Sequence, residues 1–250
     1  MIHFLTYHKV SAQNEDDADF YTVTRDQFSQ QLQSLASAGF TPLPLDQLAD
    51  RKGTSEKQFA LNFDDGTVDH FEIVLPVLAQ FNLRGIFFAP TAKLNRQGYL
   101  TDHQLRQISE AGHVIGCHSH DHKRLDTVNE TELRHQLRTS CEKLQQITGK
   151  PVWAFAPPGG FSNPTVQRIA LETGLNVIRT MRWGFNSKLD FISLETVPIN
   201  RHTTGRQFQK ILEGKQPRLL YFGKQAAKAL VPARTYERLR GWIFKLKRKT

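Results

Sequence analysis

Two adjacent carboxylates, Asp64 and Asp65, are the residues whose type and position first indicate chemistry in this chain. They follow the apolar residues 59–61 and precede Gly66, which permits a sharp turn of the backbone. Like charges this close raise each other's pKa unless a cation or a proton lies between them. The pair therefore favours a site at the end of a strand, although an Asp-Asp-Gly sequence is also a common surface turn.

A histidine-rich segment, residues 113–122, offers partners for such a cation. His118 and His122 are four residues apart, so on a helical turn both imidazoles would lie on one side, within reach of one ion. Two imidazoles and one carboxylate suit zinc or another first-row divalent ion, and the second carboxylate would remain as a general base. The competing interpretation is a surface loop that is rich in histidine by composition alone.

The elements that must position these residues are strands alternating with helices. Apolar runs predict strands at residues 2–7, 59–63, 84–89, 114–117, 152–156, 176–180 and 195–199, with an edge strand at 40–45. Capping residues and helical periodicity predict helices at residues 24–39, 68–81, 101–111, 129–149, 163–173 and 204–213. Six or seven strands in this alternation predict parallel βαβ units, and the absence of a Gly-rich nucleotide loop favours closure into a barrel.

Polar clusters follow the predicted strands at four places. These clusters are Tyr7-His8, Asp64-Asp65, His118 to His122, and Pro157 to Gly160. In a parallel barrel the carboxyl ends of the strands meet on one face, where catalytic residues from separate strands come together. Taken singly, the Pro-Pro-Gly-Gly sequence is a turn; the coincidence of all four clusters is what favours a site.

Composition bounds the class of protein. The chain has 250 residues and 39% hydrophobic content, enough for one sizeable domain with an appendage. Its two cysteines, Cys117 and Cys141, form no disulfide framework, which fits a reducing compartment. The amino terminus lacks the pattern of a signal peptide, and no stretch reaches the 18 or more apolar residues of a membrane span. We therefore expect a cytoplasmic protein whose contact with a membrane is limited to its surface.

Three ordered motifs carry a resemblance to a known family. The motifs are Asn62-Phe63-Asp64-Asp65-Gly66, His118-Ser119-x-x-His122 and Pro157-Pro158-Gly159-Gly160. In this order and spacing they resemble the polysaccharide deacetylase (NodB-homology) family, carbohydrate esterase family four. The opening Tyr7-His8-Lys9-Val10 and residues 76–88 are also similar, so the resemblance covers about residues 2–212. It implies an α/β fold, a distorted (β/α) barrel with about seven parallel strands.

The resemblance also implies roles for individual residues. Asp64 would be the general base, and a divalent metal, most often zinc, would be held by Asp65, His118 and His122. The turn at Pro158 and Gly159 would present a backbone N–H to the oxyanion of the tetrahedral intermediate. The implied reaction is hydrolysis of an N-acetyl group, less often an O-acetyl group, on a sugar.

The chain departs from the family pattern at two places. Many members carry an arginine at the start of the third motif, where it orients the base, and here that position is Ala156. The late motif that supplies a general acid is not clearly present, which leaves His202 and His8 as competing candidates. Trp183 would form an apolar wall of the site or stack on a sugar, unless it belongs to the core.

The last part of the chain differs in character from the rest. Residues 217–250 carry ten Lys or Arg and one acid, whereas residues 1–216 are neutral overall, within a net charge of +9. Apolar residues recur at helical spacing in this tail: Tyr236, Leu239, Ile243 and Leu246. A basic amphipathic helix of this kind is typical of a membrane-surface anchor, and the alternative is a helix packed on the barrel.

These observations define the expected function. We expect a barrel domain over residues 1–216 that removes an acetyl group from an oligosaccharide, polysaccharide or lipid-linked glycan, with the tail at residues 217–250 on an anionic membrane surface. The alternative is a barrel that retains the metal and binds glycan without turnover. No nucleic acid is expected as a partner, because no base-stacking module accompanies the basic charge. The sequence carries no signal for an oligomeric state.

Overall fold

The computed structural model describes residues 1–13, 19–49 and 57–215. The chain divides into two units, Met1–Leu212 and Glu213–Thr250. Only residues 213–215 of the second unit are described, so the predicted basic helix of the tail lies outside the described residues. No helix in the described part of the chain is long and apolar enough to cross a membrane.

The described residues form ten strands and seven α-helices. The strands are β1 (Ile2–Tyr7), β2 (Lys9–Ser11), β3 (Thr22–Thr24), β4 (Thr41–Pro42), β5 (Gln58–Phe63), β6 (Gly85–Ala89), β7 (Val114–Cys117), β8 (Ala154–Phe155), β9 (Val177–Trp183) and β10 (Leu194–Pro198). The helices are α1 (Arg25–Ser37), α2 (Leu45–Ala49), α3 (Leu75–Gln80), α4 (Asp102–Glu110), α5 (Glu130–Thr148), α6 (Pro164–Glu172) and α7 (Gly205–Leu212).

Seven parallel strands close into a barrel. They pair in the order β1-β10-β9-β8-β7-β6-β5, and β1 also pairs with β5 through Ile2↔Gln58 to Tyr7↔Phe63. The short β4 pairs with the start of β5, and β2 and β3 form a separate parallel pair. The predicted distorted (β/α) barrel with about seven strands is therefore confirmed.

The side chains of the barrel strands alternate between two apolar layers, as the period of a strand requires. Phe4, Ala60 and Phe88 belong to an inner cluster that also contains Ala154, Ala156 and Val177. Leu5, Leu61 and Phe87 belong to the larger layer beneath the helices. All six residues of β1 are buried, which is the pattern of a parallel strand covered on both faces. The interior of the barrel is thus a packed apolar core, and a functional side chain that faces it is surrounded by apolar residues.

A π-helical turn, His70–Val74, replaces the first part of the predicted helix at 68–81 and leads directly into α3. The Leu75 N–H donates to the carbonyl of His70, five residues back. Pro76 follows immediately, has no N–H to donate and crowds the preceding turn, which disfavours regular α-helical bonding at this point. Single π-turns of this kind occur frequently at functional sites.

Candidate active site

The turn after β5 separates the two carboxylates. Asp64 continues the pairing with β1, since its N–H donates to the Tyr7 carbonyl at 2.9 Å, and its side chain is buried. Asp65 and Gly66 both have positive φ, 75° and 61°. A Cβ at position 66 would lie 3.1 Å from Ala89 Cβ, so the position requires glycine for space as well as for backbone conformation. The left-handed turn sends Asp64 and Asp65 in different directions.

The histidines approach Asp65 from the end of β7. His118 Nε2 lies 3.4 Å and His122 Nε2 lies 2.9 Å from Asp65 Oδ1. The expected helical turn is not what joins the two histidines: Ser119 and His122 have φ of 62° and 65°, and residues 118–122 are non-helical. Positive φ is costly for residues with a Cβ and tends to be found where a site requires it.

Hydrogen bonds hold this loop in place. The His122 N–H donates to Ser119 Oγ at 3.1 Å. The side-chain oxygen of Gln136 on α5 accepts from the backbone N–H groups of His120 and Asp121 at 3.1 and 3.0 Å. The loop is therefore fastened at both its turn and its neighbouring helix, which reduces the freedom of the two imidazoles.

The donor set of Asp65, His118 and His122 fits a divalent cation. One ligand atom from each residue lies within 4.8 Å of the others. His118 Nδ1 donates to the Ala156 carbonyl at 2.6 Å, so Nε2, on the side of Asp65, is the ring nitrogen that would offer its lone pair to a bound cation. Burial raises the pKa of Asp65, but hydrogen bonds from His118 and His122 outweigh it and hold the pKa well below its ordinary value. Two imidazoles and an ionised carboxylate are ligands that zinc and similar ions accept.

Asp64 is held by an arginine that lies on a different strand from the one expected. The Arg179 Nη2 donates to Asp64 Oδ1, and both side chains are only 2–3% exposed. The pairing of Phe155 with Ile178 continues one residue further to place Arg179 beside Ala156, and both face the barrel interior. The arginine expected at position 156 is therefore supplied from β9, the neighbouring strand.

The buried pair keeps Asp64 ionised. Burial raises the pKa of Asp64, but the positive charges of Arg179, His118 and His8 outweigh it, so the pKa stays below its ordinary value. Arg179 also lies over the Phe88 ring, 5.1 Å from its centroid, and its Nη1 lies 3.2 Å from Met181 Sδ. These contacts fix the guanidinium inside the core.

The sequence could have indicated Arg179, because it lies inside a run predicted to be a buried strand. A charged side chain is almost never fully buried without a partner, so an arginine in such a strand implies a carboxylate near it. This argument predicts a buried carboxylate as the partner of Arg179 but not which carboxylate, because that depends on how the barrel brings the ends of β5 and β9 together.

Of the two candidate acids, His8 lies beside the base. His8 Nε2 is 3.9 Å from Asp64 Oδ2, and its side chain is 18% exposed. Its ring stacks on Tyr21 at 4.5 Å, and its carbonyl accepts from His70 Nε2 at 2.6 Å. Burial lowers the pKa of His8 more than the attraction of Asp64 raises it. His8 thus borders the base directly.

His202, in contrast, is exposed. Its ring is 5.6 Å from that of Phe20, which contacts Tyr21, which in turn covers His8. His202 follows β10 as expected, but three aromatic side chains connect it to Asp64. The geometry therefore favours His8 over His202 as the acid.

The residues expected near the oxyanion lie in a 3₁₀ turn, Pro158–Gly160, directly after β8. The Gly160 N–H donates to the Pro157 carbonyl at 2.8 Å, whereas Gly159 is exposed and has a φ of 65°. The Ala156 carbonyl just before this turn binds His118. This hydrogen bond connects the turn to the histidine loop, and the backbone N–H of Gly159 remains the candidate donor to the oxyanion.

Trp183 ends β9 and is half-buried against the core. It packs edge-on against Phe185 at 5.1 Å, and Phe185 contacts His3, near the start of β1, at 4.4 Å. This packing is typical of a core residue. A role for Trp183 in the substrate site stays a prediction.

Comparison with known proteins agrees with the fold. The sequence profile described as polysaccharide deacetylase matches residues 51–178. A peptidoglycan-N-acetylglucosamine deacetylase of Bacillus cereus is 28% identical over 133 residues, which cover 53% of this chain and 59% of that protein. Among solved structures, the Streptococcus pyogenes deacetylase PplD in complex with acetate superposes with a TM-score of 0.76 at 21% identity, covering 86% of this chain and 98% of the other. IcaB from Ammonifex degensii superposes with a TM-score of 0.74 at 22% identity, covering 85% and 95%.

Proposed function

Because the chain belongs to the polysaccharide deacetylase family, we propose that it hydrolyses the N-acetyl group of a sugar in an oligosaccharide, polysaccharide or lipid-linked glycan. The observation that carries the proposal is the juxtaposition of an ionised, buried Asp64 with the donor set of Asp65, His118 and His122. Metal-assisted hydrolysis of an amide requires a general base held in a fixed position beside a bound cation.

Each residue has a part in the reaction. Asp64 accepts a proton from the attacking water, and Arg179 holds it in place and ionised. The water oxygen bonds to the acyl carbon, and Gly159 N–H donates to the oxyanion that develops. The C–N bond then breaks, the proton that Asp64 accepted from the water passes to the leaving amine through the neighbouring His8, and the products are acetate and a free amino sugar. When bound, a divalent cation, most often zinc, supplies a positive charge that polarises the acyl carbonyl and lowers the pKa of water.

The test is acetate release from metal-loaded protein with a panel of N-acetylated and O-acetylated sugars. Asp64→Asn is expected to lower the rate at least about 10²-fold, because the base is lost. The same variant should bind one equivalent of zinc, measured by elemental analysis, since Asp64 is not a ligand. Asp46→Asn, an exposed carboxylate on α2, is the matched control and should keep the wild-type rate.

Two outcomes would change the proposal. If Asp64→Asn retains the wild-type rate, Asp64 is not the base. If the wild-type protein binds the sugars and zinc but releases no acetate, the barrel is a glycan-binding module without turnover.

For the tail at residues 217–250, which lies outside the described residues, we propose a peripheral contact with an anionic cytoplasmic leaflet, where lipid-linked glycans are found. The excess of basic over acidic residues there supports this. Full-length protein should float with anionic vesicles and detach in high salt, whereas a chain ending at Glu213 should not float. Equal flotation of the two proteins would contradict the proposal.

A further inference from the structure

An exposed aromatic side chain lies beside the candidate active site. Phe20 is 37% exposed; the other large apolar side chains exposed in the described part of the chain are Met1 and Leu171. Leaving a phenylalanine in water forgoes the free energy of its burial. Met1 is the first residue of the chain and Leu171 lies on a helix, whereas Phe20 adjoins the residues that surround Asp64.

Backbone hydrogen bonds hold the turn that contains Phe20. The Tyr21 N–H donates to Asp19 Oδ1 at 3.2 Å, and the Thr22 N–H donates to the Asp19 carbonyl at 2.9 Å. The Arg201 N–H, from the segment after β10, donates to the Phe20 carbonyl at 3.1 Å. Hydrogen bonds from two parts of the chain thus hold the exposed ring in a defined position.

Strand pairing explains why this turn reaches the site. Lys9 of β2 pairs with Thr22 of β3, and the strands are parallel. The preceding residues, His8 and Tyr21, are therefore also neighbours. Their rings stack at 4.5 Å with an interplanar angle of 25°. Tyr21 therefore covers His8, and the residue before it, Phe20, extends this surface away from the base.

The rings form a continuous path from the base to solvent. Tyr21 and Phe20 lie 5.0 Å apart, edge to face, and Phe20 and His202 lie 5.6 Å apart. Exposure rises along the path, from 2% at Asp64 to 37% at Phe20, and His202 is exposed. We call Phe20, Tyr21 and His202 the aromatic ledge.

We propose that the aromatic ledge binds a second sugar ring of the substrate, the one next to the sugar that carries the acetyl group. Sugar rings have faces of C–H groups that stack on aromatic side chains, while their hydroxyls lie at the ring edge. The ledge offers such faces together with the ring nitrogens of the exposed His202, the combination that is typical of ligand sites with an apolar body and a few polar groups. The substrate class is thus a glycan of two or more sugars.

This placement gives the ledge a part in binding and not in the chemical step. Contacts with a sugar that does not react are equally strong in the ground state and the transition state, so they lower KM and leave kcat nearly unchanged. Removal of Phe20 should therefore weaken the binding of a long substrate and leave a single sugar almost unaffected. The inference rests on the proposed function, since it assigns a neighbouring part of the same substrate.

The experiment compares Phe20→Ala with Leu171→Ala, an exposed apolar residue on α6, in acetate release from N-acetylglucosamine and from its tetrasaccharide. Phe20→Ala is expected to raise KM for the tetrasaccharide about five- to tenfold, the effect of one aromatic contact, with kcat nearly unchanged. Leu171→Ala should match the wild type on both substrates. Phe20→Trp should restore the KM, and thermal unfolding should show that all variants are folded.

Titration of each variant with the tetrasaccharide, followed by tyrosine and tryptophan fluorescence, separates the two proposals. If the wild-type protein releases no acetate but binds the tetrasaccharide more tightly than Phe20→Ala does, the proposed function fails and the ledge stands. If acetate is released but Phe20→Ala and Leu171→Ala have the same KM and affinity, the ledge is wrong and the function stands. Equal losses on the single sugar and the tetrasaccharide would also overturn the ledge, because Phe20 would then act on the fold or on His8.

Discussion

At Asp64 the Arg179 guanidinium is the largest of three positive influences that keep a carboxylate charged inside an apolar barrel. The residues that the motifs identified, Asp64, Asp65, His118 and His122, do lie together, because each follows a strand and the strands close into one barrel. Arg179 was not predicted, because its partner is 115 positions away in the sequence and only the closure of the barrel brings the ends of β5 and β9 together. Catalytic and metal-binding residues are therefore easier to identify from local sequence than the residues that hold them in position.

Arg179→Ala is expected to lower kcat/KM by about 10²-fold or more, since an unpaired buried carboxylate takes up a proton and ceases to be a base. The acidic limb of the pH–rate profile should move to higher pH, because the largest influence opposing the burial of Asp64 is then gone and only His118 and His8 still lower its pKa. Arg182→Ala removes an exposed ion pair from the same strand, 3.0 Å from Glu195, and is the matched control. It should leave rate and profile unchanged.

A second substitution tests the idea that the arginine has changed strands. Ala156 and Arg179 are neighbours that face the same interior, so Ala156→Arg in the Arg179→Ala background should restore part of the rate and return the acidic limb towards its wild-type position. A double variant that folds but stays as slow as Arg179→Ala would show that the carboxylate can be held only from β9. Circular dichroism and thermal unfolding identify variants that do not fold.

At the scale of elements, periodicity and capping residues predicted most strands and helices to within a few residues. Thr24, for example, caps α1 as expected, with Gln27 completing a capping box. The errors occur where the backbone departs from regular α-helical conformation. Residues 118–122 use left-handed turns where helical spacing was expected, and residues 70–74 form a π-turn where a regular helix was expected. Neither departure has a signature in side-chain periodicity.

The 3₁₀ turn after β8 gives a prediction at this scale. A Cβ on Gly160 would lie 2.2 Å from Met181 Cβ and 2.4 Å from its backbone nitrogen, at a φ of 73°. Gly160→Ala should therefore lower the free energy of unfolding by about 2–4 kcal/mol, since both strain and overlap oppose the folded state. Gly149→Ala, at a φ of 67° but in open space, should cost only about 1 kcal/mol. Urea denaturation distinguishes them, and equal losses would contradict the role of the Met181 contact.

At the scale of the whole molecule, two buried histidines outside the site couple folding to pH. His3 bonds the Ile211 carbonyl at 3.1 Å, and His113 Nδ1 accepts from the Gly85 N–H at 3.1 Å. Burial lowers the pKa of His3 to about 4, and burial with the nearby charge of Arg84 lowers the pKa of His113 to about 4. Composition predicted one large domain, but nothing in it distinguishes these two histidines from the exposed ones.

Both histidines fold as neutral groups, so the unfolded chain binds more protons below its ordinary histidine pKa of about 6.5. Their contribution to stability is complete above that pH and is lost as the pH falls towards 4, by up to about 3 kcal/mol each. Urea midpoints should therefore fall between pH 6.5 and pH 5. His3→Gln should flatten this decline, whereas His103→Gln, an exposed residue on α4, should not. Parallel declines for all three proteins would rule out His3 as a source.

The adjacency of Ala156 and Arg179 also constrains how such a barrel can evolve. A lineage that lost an arginine at 156 before gaining one at 179 would pass through an intermediate with an uncompensated charge in its core, at a cost of about 3–5 kcal/mol. A lineage that gained the second arginine first would have to fit two guanidiniums into the packed interior in which Ala156 now lies. The second route keeps the base competent at every step, so we expect sequence reconstruction to recover an intermediate that carries both arginines.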